Sequence, residues 1–462
     1  MSSLETGISR PDRCSDILLE YTRSICPFCK RVIDAQVVAR QNRVIMRKRC
    51  EEHGWIEGLI SSDVEMYMGA GRFNKPGTKP LRYETRAKEG CPHDCGLCPE
   101  HKQHTCVAIF EIIRGCDLRC PTCFAGSAPG LGNALPLSLL EEMMDAYLSS
   151  EGNPDTLQLS GGEPTLHPQF LEILDRAKER GFRNIVVNTN GRRIALDRKF
   201  AEKVTERGVN VFLQFDGFRL ETNLALRGED LRRVREDALR NLGEAGGNVV
   251  LSVTVQKGVN EDEIGDIVRL LHGTPHIRGV NFQPTFFVER HPDFDSMERT
   301  TLPDVVLAIA EQTRGWYDAS DFLPIPCPYP TCSAVSYAFV GGDEVFPLAR
   351  AIQVEDYLDY FKNVSAPHMS TVVRDALEGL YSMSTVGFAE EMKKGMCTAC
   401  GVSLNLDWKR LESNVKMILV KPFMDGYTFD LKRLMKCCVH LMTPDKRLIP
   451  FCAYNNLYRN SK

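Results

Sequence analysis

No stretch of this 462-residue chain stays apolar over the roughly 20 residues that a membrane-spanning helix needs. Contact with lipid is therefore expected to be peripheral or through a pocket. The opening residues, MSSLETGISRPDRC, are polar and mixed in charge and do not read as a secretory signal. The expected location is the cytoplasm, with peripheral contact at the inner face of a membrane allowed. Charge of one sign is also scarce. Fifty-seven Lys and Arg stand against 61 Asp and Glu, a net charge of -4, which argues against a nucleic-acid binder that relies on a general basic field. What remains is an ordinary soluble composition, 43% hydrophobic and 26% charged, with chain enough for two to four domains.

Cysteine is absent from the roughly two hundred residues between Cys123 and Cys327, yet the chain holds 18. They are grouped: Cys26, Cys29 and Cys50; then Cys91, Cys95, Cys98 and Cys106; then Cys116, Cys120 and Cys123; then seven from Cys327 to Cys452. Cys14 stands alone with no assigned role. Disulfides suit a secreted chain, which nothing here marks, so close C-x2-C pairs read better as metal sites.

The organising stretch is RGCDLRCPTCFAG, residues 114–126. Cys116, Cys120 and Cys123 stand there as C-x3-C-x2-C. Three thiolates on one short loop can hold three corners of an iron–sulfur cubane and leave the fourth iron open to a reacting ligand. Clusters that only carry electrons usually have four cysteines. Upstream, Cys26-Pro-Phe-Cys29 and Cys50-Glu-Glu-His53 match a small ribbon closed by one tetrahedral ion, zinc or a single iron; spacing does not choose. In the bland alternative, His53 merely caps a turn beside Gly54. Cys91, Cys95, Cys98 and Cys106 form a complete set for a closed auxiliary 4Fe–4S cluster, a second zinc knuckle being the alternative. His93, His101 and His104 interleave with them, as outer donors or as surface groups. Four of the last seven cysteines are expected to hold a second auxiliary cluster. Cys327, Cys332, Cys438 and Cys452 are the preferred set, with Cys397, Cys400 and Cys437 as alternates.

From Val107 the pattern alternates. Strands are expected at 107–113, 156–160, 185–191, 209–217, 248–255 and 279–285, with helices between them and an Asn260/Glu263 capping box before the last helix. Six strands and five helices make a parallel α/β core whose strand ends carry the ligand-binding rim. Glycines Gly161 and Gly162 of GGEP (161–164, closing with Glu163 and Pro164) let the strand approach a ligand closely. Glu163 suits an ammonium, Asp216 and Gln214 suit ribose hydroxyls, and the backbone near Val280 suits an adenine. Asn190 completes the rim.

Together, the C-x3-C-x2-C loop and GGEP resemble the radical S-adenosylmethionine (SAM) superfamily. The resemblance implies a partial (β/α)6 barrel in which Cys116, Cys120 and Cys123 hold the SAM-binding 4Fe–4S cluster. Thr122 departs from the aromatic residue usual before the third cysteine, and Phe124 is expected to take over its packing. Over most of the chain, CPFC…CEEHG, GCPHDCGLCPEHKQHTC, PTCFAGS, IPCPYPTC and CCVHLMTPDKRLIPFCAYN resemble the tetraether lipid synthase group. Its members have also been described as methylases of a hydroxymethyl-dihydropterin. That likeness implies three 4Fe–4S clusters and a rubredoxin-like iron at Cys26, Cys29, Cys50 and His53. It further implies joining of two lipid-tail methyl ends by a carbon–carbon bond, two SAM molecules spent per bond. The partners implied are a lipid with long alkyl tails and an electron donor such as a ferredoxin or flavodoxin.

The expected segments are a mononuclear-metal domain (1–85), an auxiliary-cluster segment (86–107), the radical SAM core (108–310) and a C-terminal auxiliary-cluster domain (311–462). Competing expectations are a pterin methylase, a peptide-modifying enzyme and a zinc-rich interaction protein. The apolar stretch NFQPTFFV (281–288) suits a tunnel for tails and equally suits a core strand.

Overall fold

The N-terminal residues form an antiparallel meander: β1 (Ile17–Ile25), β2 (Val32–Arg40), β3 (Arg43–Cys50) and β4 (Gly54–Ser61). The structure, a computed structural model, describes residues 16–342, 344–350 and 414–459. Gln41 and Asn42, both at positive φ, close a two-residue hairpin between β2 and β3. The other two connections carry Cys26–Cys29 and Cys50–His53, so both halves of the metal motif lie at one end of the meander. Helix α1 (Val64–Ala70) follows, its first turn capped by Asp63, which accepts from the Met66 amide at 2.7 Å.

From Val107, apolar strands alternate with helices: β5 (Val107–Ile113), α2 (Leu137–Glu151), β6 (Thr156–Gly161), α3 (Phe170–Glu179), β7 (Asn184–Thr189), α4 (Arg192–Leu196), α5 (Arg198–Glu206) and β8 (Asn210–Gln214). Then come α6 (Leu220–Arg227), α7 (Arg232–Glu244), β9 (Asn248–Val255), α8 (Ile264–Gly273) and β10 (Ile277–Pro284). The six strands pair in parallel in chain order, as the alternation predicts. Strand parity sorts their side chains. Leu157, Leu159, Val187, Leu213 and Leu251 pack outward under the helices, against residues such as Ile173, Phe200, Leu242 and Val268. Gln158, Ser160, Asn188, Phe212, Val250 and Ser252 face the barrel bore.

The described residues beyond 311 extend the same sheet. After α9 (Leu302–Gln312) come β11 (Leu323–Pro324), β12 (Ala334–Gly341), β13 (Glu344–Pro347), β14 (Val415–Val420), α10 (Leu431–Leu434), β15 (Val439–Met442) and β16 (Leu448–Pro450). Strand β14 adds in parallel to β10, and β15 adds in parallel to β5. An open six-stranded sheet leaves unpaired amides and carbonyls at both edges, and these strands satisfy them.

The Asn260/Glu263 capping box does not form. Glu263 accepts instead from the amides of Phe218 (2.6 Å) and Arg219 (3.0 Å), and the Asn260 amide donates to the carbonyls of Asp216 and Thr254, each at 2.8 Å. Both side chains are spent on fixing the loop after β8.

Candidate active site and metal centres

The loop bearing Cys116, Cys120 and Cys123 leaves the C-terminal end of β5 and is clamped from three sides. Arg290 donates to the carbonyls of Cys120 (2.7 Å) and Ser127 (2.6 Å). Asn190 donates to the Asp117 carboxylate at 2.6 Å, and Arg192 to the Asp117 carbonyl at 3.1 Å. Leu118 is buried against Leu231 and Val234. The three cysteines border a pocket also lined by Gly161, Gly162, Glu163, Asn190 and Gln214, so these expected residues do meet. Burial pushes the Cys116 thiol up to about 12. Phe124 stacks on Phe286 (5.8 Å) and meets Phe451 edge-on (5.3 Å), while Thr122 donates to Gln256 at 3.3 Å. The aromatic wall thus lies after the third cysteine.

Several rim residues do other work than expected. A Cβ on Gly161 would lie 2.2 Å from the Ile113 carbonyl oxygen, and one on Gly162 2.1 Å from that of Gly115. The glycines admit the backbone of the cluster loop itself. Glu163 is fully buried and accepts from Thr165 Oγ1 (2.7 Å), Thr189 Oγ1 (2.6 Å) and the amides of Thr165 (3.2 Å) and Asn190 (2.7 Å). Three of these bonds fall on Oε1, while Oε2 accepts only from the Asn190 amide; Glu163 is thus partly a strut, and it also lines the pocket with an acceptor position left on Oε2. Pro164 opens a buried 3-10 turn and does not line the pocket. Asp216 is removed from any ribose by Arg227 (2.6 and 2.7 Å) and Arg235 (2.8 Å), with the Thr254 amide at 3.0 Å. Val280 faces outward into the helix-side core; its neighbours Asn281 and Gln283 face the bore. Sequence reasoning missed Arg227, which reaches the pocket beside Cys120 from the last turn of α6.

At the end of the meander, Cys26, Cys29, Cys50 and His53 bring their ligand atoms within 4.8 Å of one another. His53 Nδ1 lies 3.6 Å from Cys26 Sγ and 3.5 Å from Cys50 Sγ, and the Cys29 and Cys50 sulfurs are 3.7 Å apart. Ligands about 2.3 Å from a tetrahedral ion are separated by about 3.8 Å, so the four fit one ion. The His53 imidazole pulls the Cys50 thiol down to about 6.

The remaining cysteines group differently from their spacing. Cys106 meets Cys327 and Cys438, all three buried and within 4.8 Å. The cause is strand register: Val107 pairs with Val439 across β5 and β15, and the Cys106 amide donates to the Cys438 carbonyl at 2.9 Å. Cys91, Cys95 and Cys98 instead line a separate small pocket with Asp94 and Glu100. Cys332 accepts from Arg433 Nε at 2.8 Å, and burial pushes the thiols of Cys437 and Cys452 up to about 12. Cys14, Cys397 and Cys400 lie outside the described residues. Neither His101 nor His104 is a surface group: His101 is buried against His440 (3.2 Å between Nε2 atoms), and His104 Nε2 lies 3.6 Å from Cys106 Sγ.

A cavity of about 620 Å³ runs through the bore and ends at Cys106, Cys327 and Cys438. It shares Phe124, Ser160, Asn188, Ser252 and Gln283 with the pocket of the cysteine loop, so the two cavities abut across these residues.

Comparison with known proteins agrees with this geometry. The radical SAM superfamily signature covers residues 110–271, and an HMPTM N-terminal zinc ribbon domain covers residues 18–62. The chain is 32% identical to a 7,8-dihydro-6-hydroxymethylpterin dimethyltransferase of Methanocaldococcus jannaschii, over 95% of its own length and 94% of the relative. The chain belongs to the radical SAM superfamily, in the family of that relative. An Fe-coproporphyrin III synthase of Methanosarcina barkeri is 35% identical over 38% of this chain and 43% of that one. Streptococcus suis SuiB bound to SAM aligns with a TM-score of 0.34 and 16% identity, over 43% of this chain and 44% of that one. The two family matches and the parallel strand order make the fold α/β of the radical SAM type with added metal modules. Membership implies SAM and a 4Fe–4S cluster, which Cys116, Cys120 and Cys123 would hold. Among the described residues, no helix is long and apolar enough to cross a membrane.

Proposed function

We propose that this radical SAM enzyme joins the terminal carbons of two long alkyl tails by a carbon–carbon bond. The observation that supports the reading is the wall between the two thiol sets. Ile109, Phe124, Ile325, Phe423 and Phe451 line the cavity there, with the Phe423 and Phe451 rings 4.5 Å apart. Such a wall gives a tail dispersion contacts and offers no competing hydrogen bond. When bound, the cluster and SAM supply a 5′-deoxyadenosyl radical able to take hydrogen from an unactivated carbon. The chain's own residues orient and exclude. Arg290 and Asn190 fix the cysteine loop, the glycine pair docks it on β6, and the aromatic wall keeps water from the tail. Cys106, Cys327 and Cys438 line that same cavity, so an auxiliary centre there would face a tail held against the aromatic wall.

This reading includes two auxiliary 4Fe–4S clusters, an iron at Cys26, Cys29, Cys50 and His53, and a ferredoxin- or flavodoxin-type electron donor. It includes no nucleic-acid partner, and it places the protein in the cytoplasm with peripheral contact at the membrane. The test is anaerobic turnover with a lipid deuterated at its tail termini. Label in 5′-deoxyadenosine and a product lighter by two hydrogens are expected; unlabelled 5′-deoxyadenosine would sink the reading.

A second reading, carbon methylation of a dihydropterin, is favoured by the name of the M. jannaschii relative and by the polar layer in the bore. Asn281 Oδ1 is buried there with no hydrogen-bond partner among the described residues, beside Gln158, Ser252 and Gln283. A ring with amide-like edges would satisfy such groups. Given 7,8-dihydro-6-hydroxymethylpterin, this reading expects a methylated pterin and S-adenosylhomocysteine, where tail coupling expects 5′-deoxyadenosine alone.

A further inference from the structure

The thiols on the two sides of α10 sit in different electrostatic settings. On the cavity side, three cations crowd Cys106, Cys327, Cys332, Cys437 and Cys438. Arg433, 8% exposed, directs Nε–H at Cys332 Sγ (2.8 Å) and Nη2 at the Pro422 carbonyl (2.5 Å). Lys421 lines the cavity beside Cys106, Cys327 and Cys438. Lys436, 9% exposed, follows directly before Cys437 and donates to the Lys75 carbonyl at 2.7 Å. Among the described residues, no carboxylate oxygen lies within 4 Å of any of the three. Asp430 acts on Arg433 from beyond that distance, so the three cations remain short of close anions, and burying cations so poorly paired is costly. Neutral thiols cannot offset that cost, whereas thiolates around a cluster can. The pocket of Cys91, Cys95 and Cys98 differs: its lining includes Asp94 and Glu100 and neither Lys nor Arg, and the cations nearby are Arg447, on the Cys95 carbonyl at 3.4 Å, and Arg23, which acts on Cys91 from outside the lining.

Positive charge and N–H donors near cluster sulfur stabilise the reduced, more negative form and raise the potential; nearby carboxylates lower it. We infer that the two auxiliary centres are poised unequally. The centre built on Cys106, Cys327 and Cys438 has the higher potential, set by Arg433, Lys421 and Lys436, and is the one of the two that takes up an electron from the ferredoxin- or flavodoxin-type donor in turnover. These three are positioning residues, since they act through the sulfurs. The inference rests on both thiol sets holding redox-active iron, as proposed above.

The experiment is a dye-mediated redox titration of the anaerobically reconstituted holoenzyme, followed by electron paramagnetic resonance. Signals are assigned by which one disappears in Cys438→Ala and in Cys95→Ala. The signal lost in Cys438→Ala should titrate at the higher potential. Arg433→Gln should lower its reduced-to-oxidised ratio about tenfold at fixed poise, about 59 mV for a one-electron couple. Lys421→Met, which leaves the hydrogen bond to Cys332 in place, should shift it in the same direction, and Arg433→Lys should restore part of the shift. The signal of the cluster at Cys116, Cys120 and Cys123 should not move. An inverted order of potentials, or no shift in both Arg433→Gln and Lys421→Met, overturns the inference. Iron analysis separates this from failure of the underlying reading: iron sufficient for the SAM cluster alone would remove both.

Discussion

Replacing Gly162 with alanine should strip the cysteine loop of iron, because that glycine is where the loop rests on β6. An alanine Cβ there would stand 2.1 Å from the Gly115 carbonyl oxygen and 2.6 Å from that of Arg114. Ordinary contact begins near ~3.5 Å, so the two backbones must part by about 1 Å or more. Parting them breaks the bonds from the Gly162 amide to the Ile113 carbonyl (2.7 Å) and from the Glu163 amide to the Gly115 carbonyl (2.9 Å). Two backbone hydrogen bonds at about 0.5–1.5 kcal/mol each, plus about 1–3 kcal/mol for overpacking, give a loss of about 2–6 kcal/mol. A domain of ordinary stability, about 5–15 kcal/mol, survives much of that range. The loop does not, since Cys116 is the next residue after Gly115. The assay is iron per chain and absorbance near 400 nm after anaerobic reconstitution, alongside denaturant unfolding. Gly69→Ala is the control: its Cβ meets nothing within 4 Å, and alanine in a helix gains about 0.5–1 kcal/mol. A Gly162→Ala protein with full iron and unchanged unfolding would refute the argument that these glycines serve the loop.

Cys106→Ser and Cys438→Ser should remove the same iron, so the double variant should contain no less than either single one, whereas adding Cys91→Ser should remove more; iron analysis decides, and the opposite pattern would restore Cys106 to the Cys91 set. Asp216→Asn should cost about 3–5 kcal/mol by leaving Arg227 and Arg235 buried beside a neutral amide, and should weaken SAM binding measured by equilibrium dialysis. Burial alone would raise the Asp216 carboxyl, but the charges of Arg227 and Arg235 hold it below its usual 3.8. Its stabilising contribution is therefore present above about pH 4 and lost as pH falls through the depressed folded value, so the gap between wild type and Asp216→Asn should narrow in acid unfolding experiments. A chelator that strips the ion from Cys26, Cys29, Cys50 and His53 should loosen the cysteine end of the meander, seen as faster hydrogen exchange at 26–31 and 50–54, while the 400 nm absorbance of the clusters persists.

What sequence could reveal here was whatever is local. The C-x3-C-x2-C loop, the ribbon knuckles at Cys26 and Cys50, and the alternation of strands and helices each depend on neighbours within a few turns of chain, and each forms. Assignments that needed register or parity were out of reach. Cys106 sits eight residues from Cys98, and spacing favours that set. Its actual partners are fixed by the pairing of β5 with β15, whose strands are more than three hundred residues apart. Val280 and Asn281 differ by a single step, but in a strand that step moves a side chain from the helix-facing core to the bore. The β9–β10 register shift between Ile277 and Gly279 is what sets the phase.

The polar residues at the strand ends make the same point about partners. Composition marked Glu163, Asp216, Asn190 and Gln214 as ligand contacts, and all four are polar groups at the rim of a parallel barrel. Glu163 and Asp216 are fully buried charges, which the fold tolerates only because Thr189, Thr165 and Asn190 neutralise the demand of one and Arg227 and Arg235 that of the other. Asp216, with two bonds on each oxygen, has no capacity left for a ligand, whereas Glu163 keeps an acceptor position on Oε2. Asn281 counted in the sequence only as part of the apolar stretch 281–288, and Gln158 not at all, both being amides inside strands. They carry the opposite property, hydrogen-bonding capacity buried in an open cavity, and that is the feature a substrate can use.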